Sequence, residues 1–182
     1  MAKSFTSKNG IEVYIHPTSH IHNEGILEET IANIELPTDS SFIRTTIDLG
    51  HVMGYDHLVD RREGDKVVMI QRGNRAGLTP IIINQQPKET CLVTFIACVD
   101  TDPDEFQGKW CIITCFEGEQ GMPEPWDRKC ENNPELKAKC EHYWNVEKGL
   151  AGTETEIRQV AEKLYDEVQF LKKILRENGI GC

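Results

Sequence analysis

Between Thr153 and Asn178 the apolar residues Ile157, Val160, Ala161, Leu164, Val168, Leu171, Ile174 and Leu175 recur at spacings of three and four. That period places them on one stripe of an α-helix. Thr153 with Glu156 forms a capping box and Gly179 supplies a C-cap, so the spacing predicts a helix of about six or seven turns. A stripe of this length has to be covered. Packing against a sheet of the same chain is one way, and self-association is the other, although about three heptads make a short coiled coil.

The preceding sequence reads as strands. Asn9-Gly10 separates Ser4 to Ser7 from Ile11 to Ile15, whose apolar residues alternate, and this predicts a hairpin. Gly25 to Leu36 carries apolar residues at helical spacing and is stopped by Pro37. Phe42 to Leu49 is rich in β-branched residues and ends at Gly50. Lys66 to Gln71, Pro80 to Asn84, Cys91 to Val99 and Lys109 to Phe116 are short runs dense in Val, Ile, Phe and Thr, bounded by Gly, Pro or Asp. They predict four adjacent strands, mostly antiparallel. Asp100 to Gly108, with four acids and a proline, is too polar and short for a crossover helix, so the last two runs should form a hairpin. Glu117 to Trp126 reads as a loop and Pro134 to Val146 as a helix. The expected fold is therefore α+β, with a central antiparallel sheet of four to five strands flanked by helices and a long amphipathic C-terminal helix. Residues 1–130 would form the sheet core and residues 131–182 a helical region packed on it, one domain overall, as suits a chain of 182 residues.

Charge narrows the partners. The net charge is −10, so the field of the whole chain repels phosphate backbones and anionic lipids at long range. No apolar run approaches the roughly 20 residues of a membrane helix, and the first residues lack a signal-like apolar stretch; a cytoplasmic protein with no membrane partner is expected. The 7 cysteines are odd in number and contain no Cys-x-x-Cys pair. They read as reduced, small hydrophobic residues.

Three constellations could carry chemistry. His16, His20 and His22, with Glu24 nearby, resemble a strand-borne imidazole set able to hold a divalent metal, since residues two apart on a strand share a face; the plain alternative is a solvated loop. Arg61, Arg62, Lys66, Arg72, Arg75 and Lys88 stand against only Glu63 and Asp65, a local basic patch in an acidic chain. Guanidinium forks there suit a phosphate or carboxylate, or else pair with acids elsewhere. His51 and His57 lie in a loop with Tyr55 and Asp56. An imidazole beside arginines is a sufficient set for general acid-base cleavage of a phosphodiester, with cations on the phosphorane, and needs no cofactor.

Thr46-Ile47-Asp48-Leu49-Gly50 with Gly54, then Arg72-Gly73-Asn74-Arg75 through Thr79, then Thr114 through Pro123-Glu124-Pro125-Trp126-Asp127 follow an order that resembles short bacterial proteins associated with the barnase, EndoU, colicin and RelE-like ribonuclease fold. The three segments span about a third of the middle of the chain. The resemblance implies a metal-independent endoribonuclease with His51 or His57 as base, Arg72 and Arg75 on the phosphate of RNA, and Thr79 or Thr114 as a hydrogen-bond donor. Beside it stand two other expectations: an acidic interaction module that dimerises or binds a protein through the C-terminal helix, and a His-ligated metal-binding protein.

Overall fold

The computed structural model describes residues 3–21, 23–71 and 77–177. Its strands are β1 (Ser4–Thr6), β2 (Glu12–Ile21), β3 (Phe42–Asp48), β4 (Gly54–Asp56), β5 (Leu58–Asp60), β6 (Val67–Gln71), β7 (Leu78–Ile82), β8 (Lys88–Thr90), β9 (Leu92–Val99), β10 (Trp110–Glu117) and β11 (Lys148–Ala151). The α-helices are α1 (Leu27–Ala32), α2 (Arg128–Glu131), α3 (Pro134–His142) and α4 (Glu154–Glu177). They fall into two compact units, each made of two stretches of chain: residues 1–56 with 88–121, and residues 57–87 with 122–182.

The first unit holds a five-stranded sheet in the order β1-β2-β10-β9-β3, with the short pair β4-β8. Asn9-Gly10 makes the predicted β1-β2 hairpin because Gly10 supplies the positive φ of 81° that the turn needs. β9 and β10 form the expected antiparallel hairpin, and β3 adds antiparallel to the other edge of β9. β2 and β10, however, run parallel, so the sheet is mixed and the antiparallel expectation is corrected. Strands so far apart in sequence carry no local mark of their relative direction. Val93, Phe95 and Ala97 of β9, Trp110 and Ile112 of β10 and Val13 of β2 pack with Leu27 and Ile31 of α1 into one buried cluster. β2 and β10 lose register midway: β10 advances from Ile112 to Thr114 while its partner residues on β2 run from Ile15 to His20. His16 to Ser19 are thus thrown out of the ladder at Pro17, a residue that cannot donate to it. The Ser19 hydroxyl ties the excursion back by donating to Ile112 O at 2.5 Å.

In the second unit the sheet order is β5-β11-β7-β6, with β11 and β7 parallel and the other pairs antiparallel. The four adjacent strands expected in the middle of the chain are therefore shared out, β6 and β7 to this sheet and β9 and β10 to the other. The 131–182 region, expected to be helical, contributes strand β11 as well as α3 and α4. Arg61 holds β11 to the π-helical turn Tyr143–Glu147: its Nε donates to Lys148 O at 3.0 Å and its Nη2 to Trp144 O at 2.8 Å. Desolvation lowers the pKa of this guanidinium below the ordinary arginine value. Trp144 Nε1 donates in turn to Met122 O and Pro123 O, and Trp126 lies so close against Gly77 that a Cβ there would overlap its ring. The final helix runs over Glu154–Glu177, and Gly179, its expected C-cap, lies outside the described residues.

Candidate functional site

The residues expected to cleave a phosphodiester are placed as follows. Arg72 and Arg75 lie outside the described residues, as does His22 of the metal set. Thr79, in β7, is fully buried, and its hydroxyl donates to Glu124 Oε1 at 3.0 Å. His57 is exposed beside β5 with its Nδ1 3.3 Å from Ala151 O, and its own carbonyl accepts the Ala151 N–H at 2.7 Å. His51 stands exposed in the turn after β3, Nδ1 3.1 Å from Leu49 O and Nε2 3.4 Å from the Glu29 carboxylate. His51 belongs to the first unit, His57 and Thr79 to the second. Arg61 of the basic patch is committed to backbone carbonyls.

His16, by contrast, has ligand-type neighbours. Its Nε2 lies 3.7 Å from Asp100 Oδ2 and 3.5 Å from Asp104 Oδ2, and its side chain and that of Asp100 are largely buried, at 18% and 13% exposure. The three donor atoms lie within 4.8 Å of one another. Both aspartates come from the β9-β10 connection. Each spends its other oxygen on the local backbone, Asp100 Oδ1 accepting from Asp102 N–H at 2.8 Å and Asp104 Oδ1 from Phe106 N–H at 2.6 Å. The imidazole packs edge to face on Phe106, with ring centroids 5.0 Å apart. Its Nδ1 is 2.6 Å from the Thr18 hydroxyl and 3.2 Å from the Thr18 N–H. His20 is exposed opposite Thr114 on β10 and stands apart from this cluster. Sequence reading found His16 but passed over Asp100 and Asp104. Their mark was the alternation Asp100-x-Asp102-x-Asp104 in a connector already judged polar.

A different kind of site runs along α4. Leu164, Tyr165, Val168, Phe170, Leu171 and Ile174 are all exposed, Leu164 at 54% and Leu171 at 56%. With Ile157, Leu164 and Leu171 as heptad d positions, Ala161, Val168 and Leu175 occupy a; Glu167 and Ile174 are then at g, and Arg158, Tyr165 and Lys172 at e. Among the described residues no helix is long and apolar enough to cross a membrane. No protein-family model, no curated protein and no solved structure matches this chain.

Proposed function

We propose that this protein is a homodimeric interaction module, joined by two parallel α4 helices. The observation that carries the reading is the apolar face of α4, which recurs with heptad spacing and is exposed from Ala161 to Ile174, with half-buried Ile157 and Leu175 at its ends. Full burial of a Leu, Val or Ile side chain is worth about 1.5 to 3 kcal/mol, and here the a and d residues of a second copy fit the face as knobs into holes. Leucines at two d positions and Val168 at a central a position suit a two-stranded pair.

Charge selects the orientation. In a parallel pair, g of one helix meets e of the next heptad on the other, so Glu167 faces Lys172 of the second copy, twice by symmetry. An antiparallel pair with full overlap sets Glu167 against Glu167 and Arg158 against Lys172. Each exposed ion pair is worth about 0.3 to 0.5 kcal/mol and each like-charge contact costs a similar amount, enough to decide direction while the apolar seam supplies the affinity.

Light scattering on the full chain tests this. The wild type should have twice the 20.7 kDa mass of one chain, and Leu164→Glu with Leu171→Glu should return it to that mass with an unchanged circular-dichroism melt of the sheet units. Glu167→Lys should weaken the dimer at least about tenfold, since two ion pairs become two like-charge contacts, and adding Lys172→Glu should restore it. A wild-type monomer at every concentration sinks the proposal. A dimer indifferent to both charge reversals sinks the parallel arrangement.

A further inference from the structure

We propose that His16, Asp100 and Asp104 form a binding site for a divalent first-row metal ion. The inference does not depend on the α4 dimer. It rests on four observations made above.

The first is donor spacing. Two ligands about 2.1 Å from one cation at a tetrahedral angle stand about 3.4 Å apart. The separations from Nε2 to the two carboxylate oxygens, 3.5 and 3.7 Å, need only a slight contraction to reach that value. The second is convergence. The imidazole comes from β2 and the carboxylates from the β9-β10 connection, more than eighty residues away in sequence, and they are brought together because His16 to Ser19 leave the ladder. Bulges of this kind re-aim a side chain and are over-represented next to functional sites. Had β2 stayed in register, no residue of it would have been displaced at this point.

The third is the outer shell. A metal-bound imidazole nearly always donates its other ring N–H to an oxygen, which fixes the tautomer and the ring plane. The Thr18 hydroxyl, 2.6 Å from Nδ1, is the oxygen that would accept that proton, and for this Nδ1 has to give up the Thr18 N–H that it accepts at 3.2 Å. Phe106 holds the ring edge to face from the side. The fourth is the donor set itself. One imidazole and two carboxylates suit Mn2+, Fe2+ or Zn2+ better than thiolate-seeking Cu+, and three protein ligands leave positions open to water or an anionic ligand. Asp104, the most exposed of the three with 42% of its side chain accessible, marks the side from which an ion enters.

The rival account is a plain ion pair in which an imidazolium shares its Nε2 proton between two carboxylates. Mn2+ is the probe that separates the two, because the 7 cysteines of the chain compete poorly for it. Titrating the full-length protein with Mn2+ and following the electron paramagnetic resonance signal of the free ion should show one equivalent taken up. In nuclear magnetic resonance spectra the amide signals of Thr18, Asp102 and Phe106 should broaden first, and those of Leu92 and Val93, at the far end of β9 from Asp100, last. Outer-shell changes alone typically cost 10- to 100-fold in affinity, so Asp104→Asn and His16→Ala should each weaken uptake by at least about tenfold. Asp104→Asn keeps the shape of an accessible side chain and serves as the deciding variant if His16→Ala fails to fold. No uptake by the wild type, or uptake that neither variant weakens, would reduce the cluster to an ion pair and overturn the site.

Discussion

Cys115 is buried in the middle of β10, and desolvation, with the Glu117 carboxylate adding to it, pushes its thiol up to about 12. In the unfolded chain a thiol releases its proton near pH 8.5. Between those two values the folded state holds a proton that the unfolded state has lost, so stability is fully present at neutral pH and falls as the pH rises through the window. Burial raises Cys111 to about 11, with Asp100 adding to it, so its contribution has the same sign. The urea midpoint should therefore be level from pH 7 to 8 and decline from about pH 9 upward. Cys115→Ala should decline less steeply over the same range; an identical slope in both proteins would show that this thiol does not titrate with folding. The odd cysteine count, without a Cys-x-x-Cys pair, made reduced, small hydrophobic residues the expected state. Which face each takes follows from strand register: the shift at Ile113 puts Cys115 on the core face with Trp110 and Ile112, whereas Cys111, before the shift, lies on the opposite face.

Among the elements, β9 carries the first unit. It lies between β10 and β3, and Val93, Thr94, Phe95 and Ala97 are all fully buried. β3 sits at the sheet edge and alternates between exposed and half-buried positions. Truncating Phe95 to Ala removes the largest fully buried side chain and should cost about 3 to 5 kcal/mol, whereas Ile43→Ala on β3 should cost much less, since part of that side chain already meets water. Chemical denaturation of the two variants checks the ranking, and equal losses would mean that β3 is as integral to the core as β9. The elements were legible in sequence where a strong local signal existed: the hairpin at Asn9-Gly10, the β9-β10 hairpin, and α4 from its stripe. The excursion of β2 at His16 to Ser19 was not legible as a register shift, although Pro17 stood there, because only the partner strand defines register. Asp100 and Asp104 went unread for the same reason, since nothing local placed an imidazole against them.

On the scale of the whole molecule, charge acts against association. Two copies at −10 each bring −20 together, and such repulsion reaches over a Debye length of about 10 Å at 0.1 M salt. The two Glu167-Lys172 contacts are weaker and local. Raising the salt from about 0.05 to 0.5 M should consequently tighten the α4 dimer, as read by sedimentation equilibrium; a dimer that loosens with salt would mean that ion pairs, not the apolar seam, hold it. The burial of the Thr79 hydroxyl could only be found from packing. By itself the sequence determined the longer elements, the acidic field and the amphipathic face of α4, because hydrophobic period, turn residues and net charge are local or additive properties; β4, β5, β8, β11 and α2 it left unread. Only the tertiary structure decided which strands share a sheet, that β2 runs parallel to β10, and that His16 meets Asp100 and Asp104. Those depend on contacts between residues far apart in the chain, whose pairing is chosen by burial of the whole core and leaves no mark at either partner.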